Sequence, residues 1–162
     1  MPQVFTRDFG LLDCDQCLEL DFPNGLPGFE LEKRFALVQK DALAPMLLLQ
    51  SLQTAGVCFL ALPVLAVDSE YQIGMTDEDR RIVGLMASSE GPLGNFLSLV
   101  ILSATGPNQR ITANLLAPVV VNLQTNVAVQ AVRCDFRYSH QHPLPSEAGQ
   151  FQAGQLEAKP CS

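Results

Sequence analysis

The chain has 162 residues, of which 48% are apolar and 17% charged, enough for one domain with a hydrophobic core and too few for two of ordinary size. Seventeen Asp and Glu against ten Lys and Arg give a net charge of −7, a field that repels nucleic-acid phosphates and attracts basic surfaces. The composition excludes an intrinsically disordered chain, and the longest apolar run, residues 57–67, falls short of a bilayer span and contains Pro63.

No basic residues precede an apolar run at the N-terminus, so no secretory signal is visible and a cytoplasmic location is expected. Residues 1–8 read as a flexible lead-in. The alternation Leu18-Glu19-Leu20-Asp21-Phe22 suits a half-buried strand with its acids in water. Pro23-Asn24-Gly25-Leu26-Pro27-Gly28 is a dense turn signal through which no helix can pass.

Strands are next expected at Phe35-Ala36-Leu37-Val38, at Met46 to Ser51 and at Val57 to Leu62, the last two joined as a hairpin by a polar loop with Gly56. Leu favours helix in isolation, but each run is only about six residues and is bounded by Pro or Gly, so length argues for strands. Thr76 ahead of Asp77-Glu78-Asp79, with apolar Ile82, Val83, Leu85 and Met86, predicts one short helix near residues 77–87: a Thr cap, then acids at the positive end of the helix dipole.

Gly91-Pro92-Leu93-Gly94 breaks the chain before a strand at Phe96 to Leu102, and Thr105 to Gln109 makes the next turn. Residues 111–122 carry no charge. Their alternation predicts a strand bent near Pro118, with Ile111, Ala113 and Leu115 on the buried face and Thr112, Asn114 and Leu116 on the outer one. A hairpin through Leu123-Gln124-Thr125-Asn126 leads to Val127 to Val132. The whole reads as an all-β (mainly β) fold, a small antiparallel β-barrel-like domain over residues 1–138, with residues 139–162 as a disordered C-terminal tail.

Catalytic chemistry finds little footing. His140 and His142 are the only histidines and fall in the expected tail, so no Ser-His-Asp or Cys-His arrangement has a place in the body. Cys14-Asp15-Gln16-Cys17 is a Cys-x-x-Cys without a second ligand pair of suitable spacing. Five cysteines in no regular framework read as reduced thiols; a metal- or redox-responsive β domain using Cys14 and Cys17 is the alternative from another class. Asp68, Glu70, Asp77, Glu78 and Asp79 read as solvated charge and a helix start, and the glycines make no phosphate-cradling loop. No cofactor or metal is expected, and what remains is a surface for proteins.

Several motifs resemble a known family. Phe22-Pro23-Asn24-Gly25-Leu26-Pro27-Gly28-Phe29-Glu30 followed by Arg34-Phe35-Ala36-Leu37-Val38, then Leu48-Leu49-Gln50-Ser51-Leu52, Tyr71 with Thr76-Asp77-Glu78-Asp79, and above all residues 111–122 are similar, in order, to the bacterial flagellar assembly factor FliW family. The resemblance covers about residues 18–133. It implies a small monomeric acidic β-barrel-like protein of the cytoplasm that binds flagellin as a chaperone and, when free, binds and antagonises the translational repressor CsrA. That antagonism relieves repression of flagellin synthesis. No enzyme activity, membrane contact or direct nucleic-acid contact is implied. Phe22, Asn24, Leu26, Phe29, Thr112, Asn114, Leu115 and Leu116 are the residues expected to form or support the partner-binding surface. An exposed Leu116 beside Asn114 would mark a contact patch.

Overall fold

The computed structural model describes residues 3–6, 10–13, 17–85, 95–105, 110–135 and 137–144. In chain order the elements are β1 (Gln3–Thr6), β2 (Gly10–Asp13), β3 (Cys17–Asp21), β4 (Arg34–Gln39), β5 (Leu47–Ser51), β6 (Cys58–Pro63), α1 (Val64–Val67) and α2 (Asp77–Val83). They continue as β7 (Phe96–Thr105), β8 (Arg110–Ala113), β9 (Val119–Asn122), β10 (Val127–Gln130) and β11 (His142–Pro143). Within the expected lead-in, Gln3–Thr6 is a strand that pairs antiparallel with β2.

Seven strands close into a ring in the order β7-β6-β5-β4-β3-β10-β9, with β9 returning to pair with β7. All joints are antiparallel except one, where Val127 of β10 lies parallel to Asp21 of β3. The barrel is thus mixed rather than wholly antiparallel. Closure pairs most of the sheet edge that an open sheet would expose, with β10 joined to β3 at a single residue pair.

Alternation along the strands sends side chains to two different cores. Leu20, Phe35, Leu37, Leu49, Ala61, Leu99, Val119, Val121 and Ala128 point into the barrel and pack with Phe22 and Leu26. Their neighbours Ala36, Val38, Leu48, Cys58, Leu60, Leu62, Val100 and Leu102 point outward, yet are covered by Ile111, Ala113 and Leu115, by Val64 of α1, and by Tyr71. On another side α2 lays Val83 over Val120 and Val129. Because β4, β5 and β6 are largely buried on both faces, they read in sequence as near-continuous apolar runs. Each large side chain so buried contributes roughly 1.5–3 kcal/mol of transfer free energy.

Among the described residues two α-helices are present where one helix was expected. Residues 64–67 form a single turn, continuing the apolar run after Pro63. The second helix starts as its cap predicts, with Thr76 Oγ1 accepting from the Asp79 N–H at 3.1 Å, but it stops at Val83. Gly84 at φ 81° takes the left-handed conformation, so Leu85 N–H closes on the Arg80 carbonyl at 2.8 Å. Residues 86 and 87 lie outside the described residues, as do the breaks expected at 91–94 and 106–109 and the tail from 145 on.

The uncharged stretch 111–122 is two strands rather than one bent strand. β8 pairs with Leu102 to Thr105 of β7, and β9 pairs with Phe96 to Leu99 of the same strand. Between them residues 114–118 leave the ladder, held by Asn114 N–H on the Ile101 carbonyl at 3.0 Å and by Asn114 Oδ1 accepting from Ala117 N–H at 3.1 Å. The break thus begins four residues before Pro118, where the Asn side chain supplies a local partner for the backbone.

The body also runs past the boundary expected at 138. His142 and Pro143 pair with Ala113 and Thr112, and Ser139 accepts from Leu115 N–H at 3.0 Å. Both histidines therefore belong to an ordered segment.

Candidate partner-binding surface

Residues 22–33, between β3 and β4, form a compact loop whose backbone bonds are mostly made within itself. Phe22 N–H donates to Lys33 O at 2.7 Å, Gly25 N–H to Phe22 O at 2.9 Å and Phe29 N–H to Leu26 O at 2.7 Å. Gly25 sits at φ 64°, and a Cβ there would lie 2.6 Å from Phe29 O, so only glycine fits this close approach. The loop is also stitched from outside. Gln53 Oε1 accepts from Lys33 N–H at 2.6 Å and Arg34 N–H at 3.2 Å, while its Nε2 donates to Leu31 O at 3.2 Å.

An aromatic series carries the interior to this surface. Phe22 packs edge-on to Phe35 at 5.2 Å, Phe35 lies 6.3 Å from Phe59, and Phe59 meets Phe29 edge-on at 5.3 Å. Phe29 is 37% exposed and Leu31 85% exposed, so the loop presents two apolar side chains to solvent with Glu30 between them.

Charge follows the same loop. Glu30 accepts from Gly28 N–H at 3.1 Å. Backbone donors, its own and that of Gly28, with Lys33 adding attraction, hold its carboxyl below the usual carboxylate range. Asp77, Glu78 and Asp79 form the first turn of α2. Between the loop and that turn lies a cleft of about 250 Å3, lined by Asn24, Gly25, Pro27, Glu30, Asp79, Ala128, Val129 and Gln130.

The expected surface residues are divided by this geometry. Asn24 is exposed and Phe29 partly so, whereas Phe22, Leu26 and Leu115 are buried and hold the surface from beneath. Thr112, expected to face outward, is buried at 4% exposure, and among the described residues its hydroxyl has no hydrogen-bond partner. Asn114 and Leu116 are only partly exposed, so Leu116 is not the solvent-facing patch its position in the alternation predicted. β8 has covering layers on both sides, which alternation alone does not reveal.

Sequence reading missed the group that anchors the far side of this half of the barrel. Arg133, 8% exposed, donates through Nε and Nη2 to both Asp135 oxygens at 2.8 Å, and through Nη1 to the Gln72 carbonyl. Its guanidinium lies 4.8 Å from the Tyr138 ring centre and 5.6 Å from that of Tyr71. Tyr71 Oη in turn donates to Leu115 O at 2.6 Å. An Arg followed two residues later by Asp, with Tyr138 close behind, was the only available signal.

Among the described residues no group of three or more His, Cys, Asp or Glu is placed to hold a metal ion. Cys17 is partly buried at the start of β3, and Cys14 lies outside the described residues. Among the described residues no helix is long and apolar enough to cross a membrane.

The sequence matches the FliW protein family model over residues 3–144. The chain belongs to the FliW family. Among relatives of this FliW-family chain, the flagellar assembly factor FliW of Desulfitobacterium hafniense is 36% identical, covering 90% of this chain and 93% of its own length. That of Anoxybacillus flavithermus is 32% identical, covering 87% and 93%. A crystal structure described as the flagellar assembly factor FliW superposes with a TM-score of 0.72 at 27% identity, covering 90% of this chain and 99% of that one. The shared FliW fold is a mainly-β, seven-stranded mixed barrel with two short helices.

Proposed function

We propose that this chain is a flagellar assembly factor that binds flagellin as a chaperone in the cytoplasm and, when free of flagellin, captures the translational repressor CsrA, so relieving repression of flagellin synthesis. Family membership supports an assembly factor and not an enzyme. The observation that carries the partner-binding part is the loop at 22–33. It is fixed by its own backbone bonds and by Gln53, it exposes Phe29 and Leu31, and it sets Glu30 beside the acidic first turn of α2. A rigid apolar pair rimmed by acids suits a protein partner with apolar and basic side chains, and preorganisation lowers the entropic cost of binding it.

The test is titration of the purified chain with flagellin and with CsrA, followed by competition between them. Each partner is expected to bind alone and to displace the other. Raising salt is expected to slow CsrA association more than it weakens an apolar flagellin contact. Absence of binding to either partner, or stable simultaneous binding of both, defeats the switch.

A further inference from the structure

The ring has one weak joint. Every other pair of neighbouring strands runs along several successive residues, as β3 does with β4 from Cys17 to Asp21, but β10 meets β3 only where Val127 lies opposite Asp21. The reason is in the chain itself. Asp21 N–H donates to Asn126 O at 2.8 Å, and the next donor that a parallel ladder would require from β3 belongs to residue 23. That residue is Pro23, which has no N–H. The ladder stops there, and the loop swings away from β10.

β10 continues without that neighbour. On its other side Ala131 and Arg133 donate N–H to Pro118 O at 2.8 Å and Leu116 O at 2.9 Å. Backbone groups alternate in direction along a strand, so those of residue 130 point the opposite way, into the seam. Gln130 and Val119 form a non-hydrogen-bonded pair of the β9 ladder and β3 places no residue opposite Gln130, so its backbone N–H and C=O face the cleft between the loop and α2, which Gln130 lines. Its side chain is turned elsewhere, donating to Ala117 O at 3.0 Å. The cleft is therefore an open strand edge, with Pro27 and Glu30 on one wall and Asp79 on the other.

We infer that this seam is a strand-addition site, where an extended segment of a basic protein partner pairs with the free edge of β10 and sets a Lys or Arg between Glu30 and Asp79. Main-chain hydrogen bonds to Gln130 supply the affinity, and the acidic walls select the sequence. The inference rests on the functional reading above, and within it the occupant is CsrA, since cationic side chains match the walls and an RNA-binding protein carries them.

Hydrogen exchange and binding on the full chain test it. In the free protein the Gln130 amide is expected to exchange quickly, beside a protected Ala131, and to become protected when CsrA is added. The substitution Gln130→Pro removes the free N–H without touching a bond to β9, and is expected to weaken CsrA binding about tenfold. Gln130→Ala, which keeps the N–H, is expected to stay within about threefold of the parent chain. Far-UV circular dichroism and the melting midpoint establish that Gln130→Pro is folded; the exchange measurement on the unaltered chain decides the matter even where it is not. Glu30→Gln with Asp79→Asn is expected to slow association, most at low salt.

CsrA bound with the Gln130 amide still exchanging freely overturns the site while leaving the functional reading intact. Protection by flagellin and not by CsrA overturns the choice of occupant. Failure of both proteins to bind the unaltered chain defeats the functional reading and this inference with it.

Discussion

Asn122 Nδ2 donates to the Val83 carbonyl at 2.9 Å, joining the last residue of β9 to the C-terminal end of α2. The same side chain accepts from Gln124 N–H at 2.9 Å through its other atom, so one buried amide both closes a helix and starts the turn into β10. Asn122→Ala leaves the Val83 carbonyl without this donor. A loss of about 1–3 kcal/mol is expected, read from the midpoint of chemical denaturation at unchanged slope.

Gly25→Ala makes a second case, governed by backbone rather than by side-chain bonding. At φ 64°, with Phe29 O and two Glu30 backbone atoms within 2.7 Å of the new Cβ, the loop has no room to accept it. The cost is expected to exceed about 1 kcal/mol. Partner affinity should fall with it, because Phe29 and Glu30 are the atoms displaced; a variant of unaltered affinity and stability would exclude the loop from the binding surface.

Tyr71 offers a pH signature. Burial raises its phenol above the ordinary value of 10.0, opposed by the nearby Arg133. A raised folded-state pKa means that the folded protein holds the proton longer than the unfolded chain does. Its contribution is therefore fully present below the unfolded value and is lost as pH rises through the folded one. Absorbance titration is expected to show a late phase of tyrosine ionisation that Tyr71→Phe removes. Loss of the bond to Leu115 O in that variant costs about 1 kcal/mol at neutral pH.

Asp135 gives the opposite sign. The fork of hydrogen bonds from Arg133 holds its carboxyl below the usual carboxylate range. This contribution is present above the unfolded pKa and disappears as pH falls through the lower, folded one. Asp135→Asn is expected to flatten the acid limb of the stability curve. Arg133→Lys is expected not to rescue the geometry, because an ammonium cannot reach both oxygens and the Gln72 carbonyl at once; equal melting midpoints for Arg133→Lys and the parent chain would count against the clasp.

How legible was all this? The strands at 34–39, 47–51 and 58–63 show in the sequence because their apolar runs are short and punctuated by Pro, Gly and polar loops. What burial on both faces hides is direction. Thr112 and Leu116 alternate with core residues and so looked outward, yet Thr112 is buried along with Ile111 and Ala113, so both faces of β8 are covered, while β11 pairs along its edge. A four-residue helix at 64–67 leaves no periodicity to read, and Gly84 ended α2 inside an apolar pattern that continued to Met86. The loop motif at 22–30 was visible as a turn; that Pro23 also ends a ladder with a strand a hundred residues further on depends on the topology, which no local pattern encodes.

That single bridge between Asp21 and Val127 has a kinetic side as well. The antiparallel joints from β3 through β7 link successive segments of the chain, but the ring cannot close until β10 has been made and brought back to β3. Closing so long a loop costs entropy before its contacts repay it, which puts this step late in folding. During synthesis, then, the half-barrel waits with its interior open at the β3 edge. Stopped-flow refolding followed by pulsed hydrogen exchange should find the Asp21 amide among the last to be protected.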